Sequence, residues 1–347
     1  MIRLLLLLLL LPAAGLAQDY TYTTNNGALT ITQYTGPGGV VTVPGTIDGL
    51  PVVSLGNNVF YGQASLTSVT IPEGVTNIGI QAFLYCYNLT NVTIPGSLTV
   101  LGSYAFNNCT SLAGVALGAN VASIGDGAFN QCTSLTNITI PGSVTRIGFQ
   151  AFQNCTHLTA ITVAAANPAY SSLAGVLFNK ELTTLIECPG GITSVTVPDS
   201  VTNIEAQAFF SCLSLTSVTL GSNVVSIGGS AFYSCTSLAS LSLPKSVTTI
   251  GTYAFQNCSS LSTVTLGSGV ASLGVGAFYF CTGLASITIP DSVTNLGDYA
   301  FYSCASLTNA SIGNGITLLE TATFIGCSGL TSVTLGSNIT SIGISAE

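Results

Sequence analysis

Phenylalanine returns every 23 residues along this chain, at Phe83, Phe106, Phe129 and Phe152, and again at Phe209, Phe232, Phe255, Phe278, Phe301 and Phe324. Cysteine keeps the same step three residues later, at Cys86, Cys109, Cys132 and Cys155, and then at Cys212, Cys235, Cys258, Cys281, Cys304 and Cys327. Each unit has an apolar side that it has no means of burying alone. Stacking the units buries one continuous core, in which each unit touches only its neighbours. The 347 residues are long enough for two ordinary domains, but the period makes them one solenoid.

A full unit runs from Leu66 to Asn88, and Leu89 starts the next. Val69 and Ile71 alternate with Ser68 and Thr70, which is a strand pattern. Ile78, Ala82, Phe83, Cys86 and Leu89 follow at spacings of three and four, which predicts one face of a short helix. Pro72, Pro95 and Pro141, or Gly118 and Gly221, close the strands, since Pro has no N–H to give a ladder. The expected fold is an α/β solenoid, a horseshoe with a parallel sheet of about a dozen short strands and short helices opposite. At ~4.8 Å per strand it extends roughly 55–60 Å.

The pattern L-x-x-V-x-I-P-x-x-V-x-x-I-G-x-x-A-F-x-x-C, from about residue 66 to 347, resembles the BspA-like class of bacterial leucine-rich repeats. That resemblance implies a surface or secreted protein engaged in adhesion or protein binding. It names no ligand, because repeats of this kind serve many partners.

Two stretches break the period. Residues 164–191 form an insert, in which 175–186 predicts a hairpin turning at Asn179 to Glu181; similar inserts are typical of the resembled family. Residues 18–60 carry strand-like runs and predict an N-terminal β cap over the first open edge. The repeats then span 61–163 and 192–347, and the last follows the pattern only as far as Ala346, which reads as a truncated end without a cap.

Residues 1–17 read as a secretory signal peptide: Arg3, the apolar run Leu4 to Leu11, and small residues placing a cut after Ala17. The run is too short to span a membrane, which takes roughly 20 apolar residues, so no integral insertion is expected after cleavage. Removing Arg3 leaves three basic residues, Arg146, Lys180 and Lys245, against twelve acids, a net charge of −9. Without a basic stripe there is nothing to neutralise phosphates, which excludes a nucleic-acid partner.

Ten of the eleven cysteines share one position on the apolar side, and Cys188 lies out of register. They read as buried thiols packed like small hydrophobes, against two alternatives: disulfides between units, or metal ligands. No metal or cofactor is expected from a 23-residue spacing. His157, the only histidine, has no nucleophile motif around it, and the acids share no pair spacing. Glu181 and Glu187 flank the hairpin with Lys180 and read as a solvated loop. An enzyme is therefore not expected.

The exposed strand positions form two columns. One includes Ser68, Asn91, Asn137, Ser194, Ser217, Thr263 and Ser286; its neighbour includes Thr70, Thr93, Thr139, Thr196, Thr219, Thr265 and Thr288. These read as a binding surface for an extracellular protein or surface ligand, or as a plain solvated sheet. A structural envelope or spacer protein and an ice-binding Thr ladder are the alternative functions. Tyr85, Tyr104, Tyr233, Tyr253, Tyr279, Tyr299 and Tyr302 lie beside the other side, as contacts or core cover.

Overall fold

The computed structural model describes residues 19–344; the signal peptide expected over residues 1–17 lies outside the described residues. The repeats wind into a β-solenoid of about 14 turns. Each repeat contributes two strands to two separate ladders. Leu66–Thr70, Asn91–Thr93, Gly114–Ala116, Asn137–Ile140 and Ala160–Val163 pair in parallel on one side. Two-residue strands such as Asn77–Ile78, Val100–Leu101 and Ser123–Ile124 pair in parallel on the other. Both ladders repeat after the insert, and the register moves by one unit at each step, as in Ser194↔Ser217 and Ile204↔Ile227.

The expected helices are absent among the described residues. The arc through Ala82, Phe83 and Cys86 consists of turns. Its spacing of three comes from successive turn hydrogen bonds: Leu84 N–H donates to Gln81 O at 3.1 Å, Cys86 to Phe83 at 3.2 Å and Leu89 to Cys86 at 3.1 Å. Alternate N–H groups point along the stack instead. Phe83 donates to Ala105 O at 2.8 Å and Gln81 to Ser103 O at 2.9 Å. Gln81 and Tyr85 hold φ of 58° and 63°, outside the helical region. Packing explains the outcome. A helix with its side chains is ~10 Å wide, whereas stacked strands advance ~4.8 Å. The Phe rings, 4.5–5.8 Å apart in consecutive repeats, show that the arc is as closely stacked as the strands. Without helices to splay one side, a β-solenoid replaces the helix-backed horseshoe.

Each thiol of the column is buried, and nine of the ten point Sγ at the carbonyl of a Phe 26 residues back, as in Cys109 to Phe83 O at 3.2 Å and Cys281 to Phe255 O at 3.0 Å; Cys212, the first after the insert, reaches Cys188 O at 3.5 Å instead. All eleven cysteines are free. Burial pushes the Cys132 and Cys155 thiols well above their ordinary range, which disfavours the reactive thiolate. Alkylation of the native protein should therefore be slow, and denaturation should release eleven reactive thiols. Mass spectrometry of unreduced, alkylated protein checks this, and disulfide-linked peptides from neighbouring repeats would refute it.

The first turns are closed by a hairpin, Tyr20–Asn25 against Ala28–Tyr34, through Asn26 and Gly27 with φ of 50° and 77°. Positive φ at both loop positions is what a two-residue hairpin of right-handed twist demands. Tyr34 packs at a tilt on Phe60 at 4.9 Å, and Tyr20 on Tyr34 at 5.2 Å carries the ring contacts on into the hairpin. At the far end Ile342 and Ile344 are exposed.

The insert is a meander. Tyr170–Leu173 pairs antiparallel with Val176–Asn179, which pairs antiparallel with Thr184–Glu187. The first connection, Ala174–Gly175, was not read from the sequence; the second lies at the Asn179–Glu181 turn that was. Val176, Leu177 and Phe178 are all buried, because this strand is a wall between two cores. Leu177 packs with the core that ends at Ile161, and Val176 and Phe178 pack with the core that runs on to Cys327.

Candidate functional site

Two surfaces carry more polar side chains than packing needs: the sheet face and the seam beside the insert. On the sheet face, strand register brings the columns together. Ser68, Asn91 and Gly114 are direct neighbours, as are Thr70, Thr93 and Ala116. Asn137 and Thr139 continue toward Ala160 and Thr162. After the insert, Ser194 and Thr196 sit beside Ser217 and Thr219, and Thr263 beside Ser286. Thr265 and Thr288 follow in their strands. All are exposed except the half-buried Ser68 and Ala160, since the intervening Val or Ile of each strand points into the core. The insert interrupts both columns between residues 162 and 194. Within the first half, Gly114 and Ala116 lack the long side chains of their neighbours. A hollow of about 640 Å³ opens beside Ala116, lined also by Leu117, Asn137, Thr139 and Pro141.

The other candidates resolve into structure. Glu73 accepts the N–H groups of Gly96 and Ser97, Asp126 that of Phe149, Asp199 that of Ser222 and Asp291 that of Asn314. These acids brace each turn against the next. His157 is exposed, its Nδ1 2.7 Å from Thr133 O. Tyr279 stacks on Tyr302 at 4.7 Å, beside Phe280 and Tyr299, as a surface aromatic cluster on the turn arc. Among the described residues no group of three or more His, Cys, Asp or Glu could hold a metal ion.

At the seam the reading of Glu187 as a solvated loop residue is overturned. Glu187 is half-buried at the end of the strand Thr184–Glu187, and burial pushes its carboxyl up to about 8. The carboxyl takes the N–H of Phe152, which in the other repeats goes to the carbonyl of the residue before the next repeat's Phe, as in Phe129 to Ala151 O and Phe301 to Thr323 O. Cys188, next to it, gives its own N–H to Ala208 O at 2.7 Å, as a repeat Phe would, and so occupies the place of the missing ring. Between the last repeat of the first half and the first of the second lies a cleft of about 190 Å³, lined among others by Phe149, Gln153, Ile186, Glu187, Glu205 and Gln207. Gln150 and Gln153 both donate to Gln207 Oε1, at 2.7 and 3.1 Å, and lace it shut at one side. Glu205 stands where other repeats have Gly. A Cβ on Gly228 would lie 2.4 Å from the backbone of the repeat before it, whereas the seam leaves Glu205 room for a side chain. Partial burial raises its carboxyl too. In the sequence Glu205 and Glu320 both replace the repeat Gly, so that break alone does not mark the seam, and Glu187 lies in no repeat register.

The BspA type leucine rich repeat region matches residues 53–174, 187–304 and 261–346, with six copies. The chain belongs to the BspA-type leucine-rich-repeat family. The BspA-type match leaves out 175–186, the strand wall and the turn after it. Among solved structures, a leucine rich cell surface protein from Faecalibacterium prausnitzii is similar at 29% identity, over 91% of this chain and 93% of that one, with a TM-score of 0.61. A leucine-rich repeat protein from Eubacterium ventriosum is similar at 25% identity, over 93% and 90%, with a TM-score of 0.70. The pneumococcal vaccine antigen PcpA shares the fold, at 22% identity and a TM-score of 0.62 over 94% and 86%. No curated protein matches. Among the described residues no helix is long and apolar enough to cross a membrane.

Proposed function

We propose that this BspA-type chain is a non-catalytic extracellular module that binds a partner protein through its strand face. The observation that carries the reading is the pair of exposed columns held in register by the ladders, such as Ser194↔Ser217 and Thr196↔Thr219. Small side chains let a partner backbone or side chain approach the sheet closely and lose little rotamer entropy on contact. The hollow beside Ala116 offers an apolar lining with Asn137 and Thr139 among its walls, where a partner's apolar side chain could anchor. The leader-like residues 1–17 and the similarity to a cell surface protein support a place outside the cell. With 5% charged residues, binding depends weakly on salt.

The test is to replace Thr219, Thr265 and Thr288 together by Lys and measure binding to the partner that a pull-down from surface extracts recovers. All three are exposed, so circular dichroism should be unchanged. Affinity is expected to fall by about tenfold or more, because each ammonium occupies and charges the contact surface. Unchanged affinity moves the site away from the strand face, to the Tyr279–Tyr302 cluster or the insert.

A further inference from the structure

The seam cleft differs from every other part of the molecule, since the repeat is broken there and both of its carboxyls lack a counter-charge. We propose that this cleft is a binding site for a primary alkylammonium group, carried either by a lysine side chain or by a free diamine. The site is independent of the strand-face reading.

Three observations converge on that chemistry. The first is charge. Glu187 lies within the cleft and Glu205 on its wall, and no Lys, Arg or His lines it. Two of the three cations among the described residues are engaged elsewhere: Arg146 faces Asp126 at 3.8 Å with its side chain in solvent, and Lys180 Nζ reaches the carbonyls of Ala165 and Asn167, at 3.3 and 2.5 Å; the third, Lys245, is exposed in a later repeat. The second is shape. A bare metal ion would rattle in a cleft of about 190 Å³, and its walls are partly apolar, through Ile147, Ile186 and Phe149. Such walls suit methylenes, with a charged head beyond them. The third is hydrogen bonding. The carboxyl of Glu187 meets only one N–H, that of Phe152, and Gln150 Oε1 has no partner among the described residues. An ammonium has three donors and no acceptor, which matches this set.

The groups that face Glu187 from its neighbours are the Cys155 and Cys212 thiols, while Glu205 shares the cleft lining and Arg146 has its side chain in solvent. None supplies a positive charge to hold Glu187 ionised, so an entering ammonium takes up that role and releases the carboxyl proton. Binding should therefore strengthen as pH rises toward the range where Glu187 ionises unaided, while the amine itself stays protonated.

The experiment is titration calorimetry on the chain with 1,5-diaminopentane and, separately, with Nα-acetyl-lysine methylamide, at about pH 6 and about pH 9. Saturable one-to-one binding of either probe is expected, about tenfold tighter or more at the higher pH. The diamine alone binding assigns the site to free amines; the lysine derivative binding assigns it to lysine side chains. Glu187→Gln keeps the size and neutrality of the protonated carboxyl, so it folds, and should weaken binding by about tenfold or more. Glu181→Gln, on the exposed turn, serves as the control and should change nothing. Absence of binding by both probes at millimolar concentration and the higher pH overturns the proposal. So does equal affinity in native protein and Glu187→Gln, or calcium binding in the cleft where neither amine binds.

Discussion

Phe255→Ala is expected to cost about 3–5 kcal/mol. Phe255 is fully buried and lies in the middle of the second ring column, stacked at 5.1 Å on both Phe232 and Phe278. Removing the ring leaves a cavity bounded above and below by other rings, which are held by their own ladders. The backbone there donates from Phe255 N–H to Ala277 O at 2.8 Å and receives the Cys281 thiol. Those bonds resist collapse into the void, which places the cost toward the upper part of the range. The loss should also be local. In a stack of nearest-neighbour units the damaged unit loosens its two neighbours more than distant ones. Hydrogen exchange should rise at the amides of Phe232, Phe255 and Phe278 and change little at Phe83 or Phe106, which lie in the other core. A uniform rise along the chain would contradict this account, as would none at all.

The same ring column shows how far sequence reasoning reached. The 23-residue step of Phe and Cys required stacking, and alternation in segments such as Ser68 to Ile71 required strands with one face inward. The helices were misread because a run of turns closed every third residue produces nearly the periodicity of a helix. The distinguishing facts are backbone ones: left-handed φ at Gln81, Asn108, Gln131 and Asn257, and N–H groups that point to the next repeat. A denser argument from spacing was available, since a stack advancing by strand separation leaves no room for helices. The two columns of the strand face follow from alternation and were legible as a surface. The seam was not legible as a site, since Glu205 shares its replacement of the repeat Gly with Glu320. Glu187 and Cys188 take the places of a repeat Ala and Phe after an insert whose length hides the register, so no count from Phe152 or Phe209 finds them.

Native protein should lose stability as pH rises from about 5 to about 8, and Glu187→Gln should lose less. Burial raises the folded-state carboxyl of Glu187 from 4.5 to about 8. Between these values the unfolded chain has released the proton while the folded chain still holds it, so stability falls with rising pH across that window and levels off above it. A shift of this size corresponds to at most about 5 kcal/mol, and the solvent that reaches part of Glu187 brings the expected loss to about 2–3 kcal/mol. Glu205 shifts in the same direction, and so contributes a smaller slope of the same sign that remains in the variant. The neutral amide of Glu187→Gln still accepts the Phe152 N–H through its oxygen and never has to ionise. The variant should therefore match native protein at about pH 5 and exceed it at about pH 9. Denaturant unfolding at both values measures the difference, and amide exchange at Phe152 should locate it at the seam. Identical pH slopes in the two proteins would mean that the Glu187 carboxyl is hydrated and that the cleft is not closed over it.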